Sequence, residues 1–193
     1  MTLLAIFATL SFLFSVGAYW PYAKSVWQSK SRPTVSTWLS WWIMDLAILA
    51  GMYFKDAVAI QMVAYVIGCG IVIGACILRR ANLGWKRIDT ICMLLVMAAI
   101  GLWAVSGDAN FAIIMSLIAI CIGCVPLFFN VLEAPEREPM LPWALITTGG
   151  FFGVAAIPHY TVADALTPIV FFVVQVTFTL LIMRQFRKKV AVT

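Results

Sequence analysis

Residues 19–48 read YWPYAKSVWQSKSRPTVSTWLSWWIMDLAI. This stretch contains an apolar segment with a proline, a short polar loop with basic residues, and a second apolar segment that opens with tryptophans. Residues 124–150, CVPLFFNVLEAPEREPMLPWALITTGG, show the same order of features. Aligning the two stretches pairs Pro21 with Pro126, Arg32 with Arg137, and Trp38 with Trp143. The pairing indicates an internal repeat, whose copies each contain two helices joined by a polar loop.

The whole chain is strongly apolar. Of its 193 residues, 64% are hydrophobic and 11% are charged, whereas a soluble domain has about 25% charged residues. A bilayer core requires roughly 20 apolar residues per helix, so the sequence predicts an all-α membrane protein with seven transmembrane helices. The predicted spans are Leu3–Lys24, Thr34–Tyr53, Ala57–Leu78, Ile88–Val105, Asn110–Leu132, Met140–Pro158 and Ala163–Met183.

The basic residues predict how the chain is oriented. Of the 13 Lys and Arg residues, only Lys55 falls on one side of the predicted topology, and the other twelve fall on the opposite side. Positive residues near helix ends stay cytoplasmic, so we expect an extracytoplasmic N-terminus and a cytoplasmic C-terminus. Because topology explains the net charge of +5, we expect the lipid bilayer, and no nucleic acid, as a partner. The host membrane and a homo-oligomer are left open.

The repeat also predicts how the helices are organised, because it relates predicted helices 1–3 to helices 5–7. Three crossings are an odd number, so a second triplet joined directly to the first would be inverted. The fourth helix supplies the extra crossing and makes the triplets parallel. We therefore expect two parallel three-helix repeats joined by a linker helix (3+1+3). Residues 1–87 form the first repeat and its loop, residues 88–109 the linker helix, and residues 110–193 the second repeat and a basic tail.

The order of these features resembles the PQ-loop and SWEET (MtN3) superfamily of small-solute transporters, over nearly the whole chain. The likeness is carried by the two proline-containing loops and by a W-L-x-W-x-x-x-D run that ends at Asp45. The residue after the proline is Tyr22 in one repeat and Leu127 in the other, where the family has glutamine. The resemblance implies a carrier of a small polar solute, such as a sugar or an amino acid, that works by alternating access. It also implies, by position, that Asn130 and Gln175 bind the solute.

Asp45 is the most informative single residue, because it interrupts an apolar segment. An ionised carboxylate in mid-bilayer costs about 2.5–3.5 kcal/mol, so we expect it to face the interior. Trp42 lies three residues earlier on the same broad face, and an acid beside aromatic rings is typical of a small-ligand pocket. Asp45 then binds a cationic or hydroxylated substrate, or couples a proton to transport. Alternatively, it only bridges helices by hydrogen bonding to a neighbour such as Gln61, Tyr65 or Gln175.

Several other residues have predicted places in the bundle. Gln61 and Tyr65 lie four positions apart on helix 3, where they provide the polar side of a central cavity together with Gln175 on helix 7. Trp38 and Trp143 lie near helix ends, and we expect them to be membrane-interface anchors. Two G-x-x-x-G spacings, Gly70 with Gly74 and Gly149 with Gly153, predict close helix packing.

Pro21 and Pro126 are predicted hinges. A proline removes a backbone hydrogen bond inside a helix, so the helix bends there if its neighbours satisfy the freed carbonyl. Their equivalent positions in the two repeats favour a gating role, and the alternative is a static kink that only shapes packing. Undiminished transport by both Pro21→Ala and Pro126→Ala variants would remove the hinge role.

The residues argue against an enzyme. The chain has one histidine, His159, and lacks H-E-x-x-H and G-x-S-x-G motifs, so we expect no catalytic residues, no metal site and no cofactor. Cys121 and Cys124 form a C-x-x-C spacing, but within an apolar span we expect them to pack as small apolar residues. The alternative function is a non-transporting cargo or sensory receptor with seven helices on the same fold.

Overall fold

The computed structural model describes residues 2–53, 60–79, 85–106 and 109–190. Within these ranges the chain is helical and contains no strand. Lys55, Arg80 and the predicted start of the third helix at Ala57 lie outside them. The described α-helices are α1 (Leu3–Trp27), α2 (Val35–Tyr53), α3 (Ile60–Leu78), α4 (Arg87–Ser106), α5 (Ala109–Glu133), α6 (Met140–Ala155) and α7 (Val162–Val190), and a 3-10 turn spans Pro135–Arg137.

Five of the described helices, α1, α3, α4, α5 and α7, contain segments long and apolar enough to cross a membrane. The two others contain shorter apolar runs, at Val35–Ala50 in α2 and at Met140–Ala155 in α6. Because only helices and closed barrels satisfy their backbone hydrogen bonds in lipid, the architecture fits a helical membrane protein. Seven crossings and the direction of the chain across the bilayer stay predictions.

We refer to α1–α3 as the first group of helices and to α5–α7 as the second. α3 lies against both α1 and α2, and α7 lies against both α5 and α6. The groups meet where α1 packs along α6 and α2 packs along α5. α4 packs mainly on α5 and also contacts α2. At the start of α4, Asp89 accepts a hydrogen bond from the Lys86 backbone N at 2.5 Å and one from the Ser36 hydroxyl of α2.

Glycine allows α1 and α6 to approach closely. The Ser11 hydroxyl donates to the Gly149 carbonyl at 2.8 Å. A Cβ atom on Gly149 would lie 2.5 Å from Ser15 Oγ, so a larger residue would push the helices apart. The predicted close packing is confirmed at Gly149. It is wrong at Gly74, because a Cβ atom there would meet nothing within 4 Å.

One end of the bundle collects the basic loops. The Arg32 backbone N donates to the Arg137 carbonyl at 3.0 Å, so the loops after α1 and α5 meet. Arg79, after α3, places its guanidinium 3.4 Å from the Ser29 hydroxyl and 5.3 Å from the centre of the Trp27 ring. We call this the basic end, defined by the loops at residues 28–34 and 134–139. α1 closes there with Ser29 in the left-handed conformation (φ 56°).

Candidate functional site

A cavity of about 50 Å³ lies between the two groups of helices. Its volume holds a few water molecules, since one water needs about 10–15 Å³ on this measure. Six helices line it: Ala18, Tyr19 and Tyr22 from α1; Trp38, Trp41 and Asp45 from α2; Tyr65 and Cys69 from α3; Ile120 from α5; Pro142, Trp143 and Ile146 from α6; Phe171, Val174 and Gln175 from α7. The cavity is mainly aromatic, with Asp45 as the acid in its wall.

Asp45 is buried in the middle of α2, with 2% of its surface exposed. Its Oδ2 accepts a weak hydrogen bond from the Cys69 thiol at 3.7 Å. Its Oδ1 has no hydrogen-bond partner in the part of the chain that the structure describes. The expected interior position is therefore observed. Asp45 also bridges α2 to α3, but through Cys69, since both Gln61 and Gln175 donate to Tyr65 instead.

Tyr65 is the centre of a polar network on the side of the cavity away from the basic end. Gln61 Nε2 donates to Tyr65 Oη at 2.6 Å, and Gln175 Nε2 donates to the same atom at 3.0 Å. The Phe171 ring stacks on Tyr65 with centroids 5.2 Å apart. Since Tyr65 belongs to α3 and Gln175 to α7, this network bridges the two groups of helices.

Glycines in α6 make room for both glutamines. A Cβ atom on Gly150 would lie 2.1 Å from Gln175 Oε1, and one on Gly153 would lie 2.5 Å from Gln61 Oε1. The segment TTGGFFG therefore does more than bring helices together, because its bare backbone lets polar side chains lie across α6. Alanine at either position would displace the amide that Tyr65 accepts from.

A second polar network closes the cavity at the basic end. Glu138, in the loop before α6, has 3% of its surface exposed. Its Oε2 accepts hydrogen bonds from Tyr22 Oη at 2.8 Å and from Trp143 Nε1 at 3.1 Å. Trp38 Nε1 in turn donates to Tyr22 Oη at 3.2 Å. Burial raises the pKa of the Glu138 carboxyl to about 7, although the hydrogen bonds from Trp143 and Tyr22 lower it in part.

The interpretation of Trp38 and Trp143 as interface anchors is wrong. Both are buried, with 3% and 4% of their surfaces exposed, and both line the cavity. A belt position would leave the indole N–H in the headgroup region. Here Glu138 and Tyr22 provide acceptors in the interior, so the indoles turn inward. Trp41 joins them, with its ring centroid 5.4 Å from that of Trp38 and 6.4 Å from that of Trp143.

Three of the six predicted binding residues, Asp45, Tyr65 and Gln175, line the cavity together. Gln61 lies behind Tyr65. Trp42 is outside the lining, because it faces α3 and donates its indole N–H to the Val66 carbonyl at 3.1 Å. Successive helix positions point about 100° apart, so the position four residues before Asp45, Trp41, faces the cavity and Trp42 does not.

Asn130 also lies away from the cavity. Its Nδ2 donates to Thr34 Oγ1 at 2.9 Å, and its Oδ1 accepts from Lys86 Nζ at 3.0 Å. These contacts join α5, the loop before α2 and the loop before α4 at the basic end. Asn130 therefore holds these loops together by hydrogen bonds. It lies four residues after Pro126 in the same helix.

Both predicted hinge residues lie inside helices. Pro21 interrupts the hydrogen bonding of α1, and Pro126 that of α5. The residue after Pro21 is Tyr22, whose ring lines the cavity and whose hydroxyl binds Glu138. The residue after Pro126 is Leu127, which is fully buried. A bend at Pro21 would thus move a cavity residue directly.

Sequence reasoning missed Glu138, Tyr19, Tyr22 and Cys69. Glu138 shares its loop with Glu136, and no sequence signal distinguishes the two. Tyr22 carried a signal, since it directly follows Pro21, the first of the two prolines that the repeat aligns. Cys69 lies four residues after Tyr65, so the helical spacing that singled out Tyr65 also places Cys69 on the cavity face.

No protein-family model, curated protein or solved structure matches the chain. The resemblance to the PQ-loop and SWEET superfamily therefore stays a prediction from sequence. The geometry of the cavity is therefore the basis for proposing a function.

Proposed function

We propose that this protein is a membrane transporter of a small polar solute, of the PQ-loop and SWEET type, that works by alternating access. In this proposal residues 1–87 and 110–193 are two parallel repeats that rock about a central site, and residues 88–109 are the linker helix. Asp45 is the residue that contacts the solute or couples a proton to its movement.

The packing of the helices supports a repeated structure. In each group the third helix lies between the first two, since α3 contacts α1 and α2 while α7 contacts α5 and α6. A two-fold relation between the groups would exchange the α1–α6 contact with the α5–α2 contact, and both are present. The equivalent residues Arg32 and Arg137 meet through a backbone hydrogen bond, as residues close to such an axis do.

The observation that carries the proposal is the cavity itself. It lies between the two groups, both groups line it, and it contains a buried acid with an unpartnered oxygen. Transporters built from repeats bind their substrates at the repeat interface near the bilayer midplane. An intramembrane acid at such a place is a functional site by default, because its burial is costly.

Two bridges between the groups suit a carrier that opens on alternate sides. Tyr22 and Glu138 join them at the basic end, and Tyr65 and Gln175 join them farther from it. Pockets for drug-sized ligands measure roughly 300–1,000 Å³, so a sugar-sized solute enters the 50 Å³ cavity only after one bridge has opened. Opening one bridge while the other holds is the alternation that we propose.

Cys69 provides a test that needs no knowledge of the solute. It lines the cavity beside Asp45 and is buried. In a variant that retains Cys69 alone, a charged, membrane-impermeant thiol reagent should label it slowly from either face of sealed vesicles. Labelling from one face only would contradict alternating access and favour the receptor.

The control for this test is a cysteine-free variant, in which Cys69 is also replaced by alanine; the other four cysteines are absent from both variants because their thiols lie outside the cavity lining. Cys121 is exposed on the outer surface of α5, and Cys76, Cys92 and Cys124 are buried outside the cavity lining. Labelling of this control from either face measures the background that does not pass through the cavity.

A further inference from the structure

Within the described ranges, the buried Asp, Glu, Lys, Arg and His side chains are all acidic. The buried charged side chains in the described residues are Asp45, Asp89 and Glu138, and none is Lys, Arg or His. Asp89 is satisfied at the start of α4 by Lys86 N and Ser36. Asp45 and Glu138 are not, since each has one carboxyl oxygen without a partner in the described ranges. When either carboxyl is ionised, the region around the cavity attracts positive charge.

Some polar atoms of the cavity lining have hydrogen-bond partners among the described residues, and others do not. The hydroxyl of Tyr22 is spent on Glu138, and the thiol of Cys69 on Asp45. The lining atoms without partners among described residues are two acceptors, Asp45 Oδ1 and Gln175 Oε1, and one donor, Trp41 Nε1. A ligand that brings N–H donors satisfies Asp45 Oδ1, whereas a ligand that brings a carboxylate finds no cationic side chain among the described residues of the lining.

Aromatic rings complete the site. Trp38, Trp41 and Trp143 form a continuous cluster of edge-to-face contacts on one side, and Tyr65 with Phe171 forms a stacked pair on another. The faces of such rings attract cations, most strongly where water is excluded. A carboxylate surrounded by aromatic rings is the arrangement by which proteins hold organic ammonium ions.

We propose that the cavity binds a small organic monocation with N–H donors and no carboxylate, an amine or guanidine, with its charge on Asp45 and its carbon skeleton against the tryptophans. The proposal rests on the transport function and narrows its substrate class. The volume of about 50 Å³ limits a ligand bound without further opening to a few non-hydrogen atoms.

The test uses pairs of probes matched in size. Guanidinium and urea share a planar shape, and only guanidinium is charged. Methylammonium and methanol are similar in size, and only methylammonium is charged. Glycine tests the effect of an added carboxylate, and glucose represents sugars. Millimolar guanidinium or methylammonium should raise the melting temperature of the purified full-length protein and change its tryptophan fluorescence saturably. Urea, methanol, glycine and glucose should do neither.

Two variants make the result specific. Asp45→Asn keeps the shape of the side chain, and it should weaken cation binding at least about 30-fold because a buried charge partner is removed. Trp41→Leu should weaken it about tenfold through loss of the ring face. Equal responses to cations and to urea or glucose, or an undiminished cation response in Asp45→Asn, would overturn the assignment.

The outcome separates this inference from the transport proposal. Accessibility of Cys69 from both faces without cation binding would leave a transporter of another solute and remove only the substrate class. Cation binding with Cys69 accessible from a single face would keep the binding site and remove transport.

Discussion

The carboxyl of Glu138 shows how one residue can join two parts of the molecule. Its Oε2 accepts from Tyr22 in one group of helices and from Trp143 in the other, while its Oε1 has no partner in the described chain. Protonation of the free oxygen removes a buried charge and leaves both hydrogen bonds to the other oxygen in place. The protonated form therefore suits the closed structure better than the ionised form.

Glu138 should make the folded protein less stable as the pH rises. Burial raises the pKa of this carboxyl from 4.5 to about 7 in the folded state. The contribution of the protonated Glu138 carboxyl to the stability of the folded state is therefore fully present below pH 4.5, and it is lost as the pH rises to about 7. At about 1.4 kcal/mol per pH unit, this window corresponds to a loss of about 3 kcal/mol. Thermal unfolding of the purified protein between pH 4.5 and 8 measures it.

The variant Glu138→Gln should remove most of this pH dependence, because the amide does not titrate. Its melting temperature should equal that of the wild type at low pH and exceed that of the wild type at pH 8. Glu136→Gln is the matched control, since Glu136 is exposed in the same loop and should leave the wild-type profile unchanged. The same slope in Glu138→Gln and in the wild type would show that another group titrates.

The two buried acids differ in how far the sequence predicts them. Asp45 stands alone in an apolar helix, so the cost of exposing it to lipid already implied an interior position. Glu138 lies with Glu136 in a short polar loop directly after the helix that ends at Glu133, and the sequence of this loop is typical of a solvated segment. Its burial arises only when the loops at Arg32 and Arg137 meet and cover it, and a contact between loops far apart in sequence has no local signal.

At the scale of the helix, hydropathy predicted both ends of α1, α2, α4, α5 and α6, and the end of α3, to within a few residues. α2, for example, was expected at Thr34–Tyr53 and spans Val35–Tyr53. The exception is α7, which was expected to end at Met183 and continues to Val190. The extra turns carry Arg and Lys. Hydropathy locates where a helix leaves the lipid, and these residues are good helix formers that continue the helix beyond it.

Gly68 of α3 makes room for the Tyr19 ring of α1 where these two helices pack. A Cβ atom on Gly68 would lie 2.0 Å from the ring of Tyr19, which is buried in the cavity wall. Gly68→Ala should therefore force the ring or the helix to move and destabilise the protein by about 1–3 kcal/mol. The melting temperature in detergent measures the change.

Gly74→Ala is the control for this prediction, because it lies on the same helix and a Cβ atom there would meet nothing within 4 Å. It should leave the melting temperature close to that of the wild type. Equal melting temperatures for Gly68→Ala and Gly74→Ala would mean that Tyr19 has room to turn away.

At the scale of the molecule, the two groups of helices are joined at different depths. Tyr22 lies about 7 Å from the end of α1 at the basic end, and Tyr65 lies about 20 Å from the end of α3 on the same side, at 1.5 Å per residue. Asp45 and the cavity lie between the Tyr22–Glu138 bridge and the Tyr65–Gln175 bridge. Sequence periodicity predicted the helices, but neither bridge, because each joins residues more than one hundred positions apart.

Breaking one bridge should open the cavity toward one face only. Tyr22→Phe removes the hydrogen bond to Glu138, and Tyr65→Phe removes those from Gln61 and Gln175. Hydrogen bonds of these kinds are worth about 0.5–3 kcal/mol, so labelling of Cys69 should accelerate about tenfold. In Tyr22→Phe the acceleration should occur from the basic-end face, and in Tyr65→Phe from the opposite face. Acceleration from the same face in both variants would show that the cavity has one entrance, and the protein would then not be an alternating-access carrier.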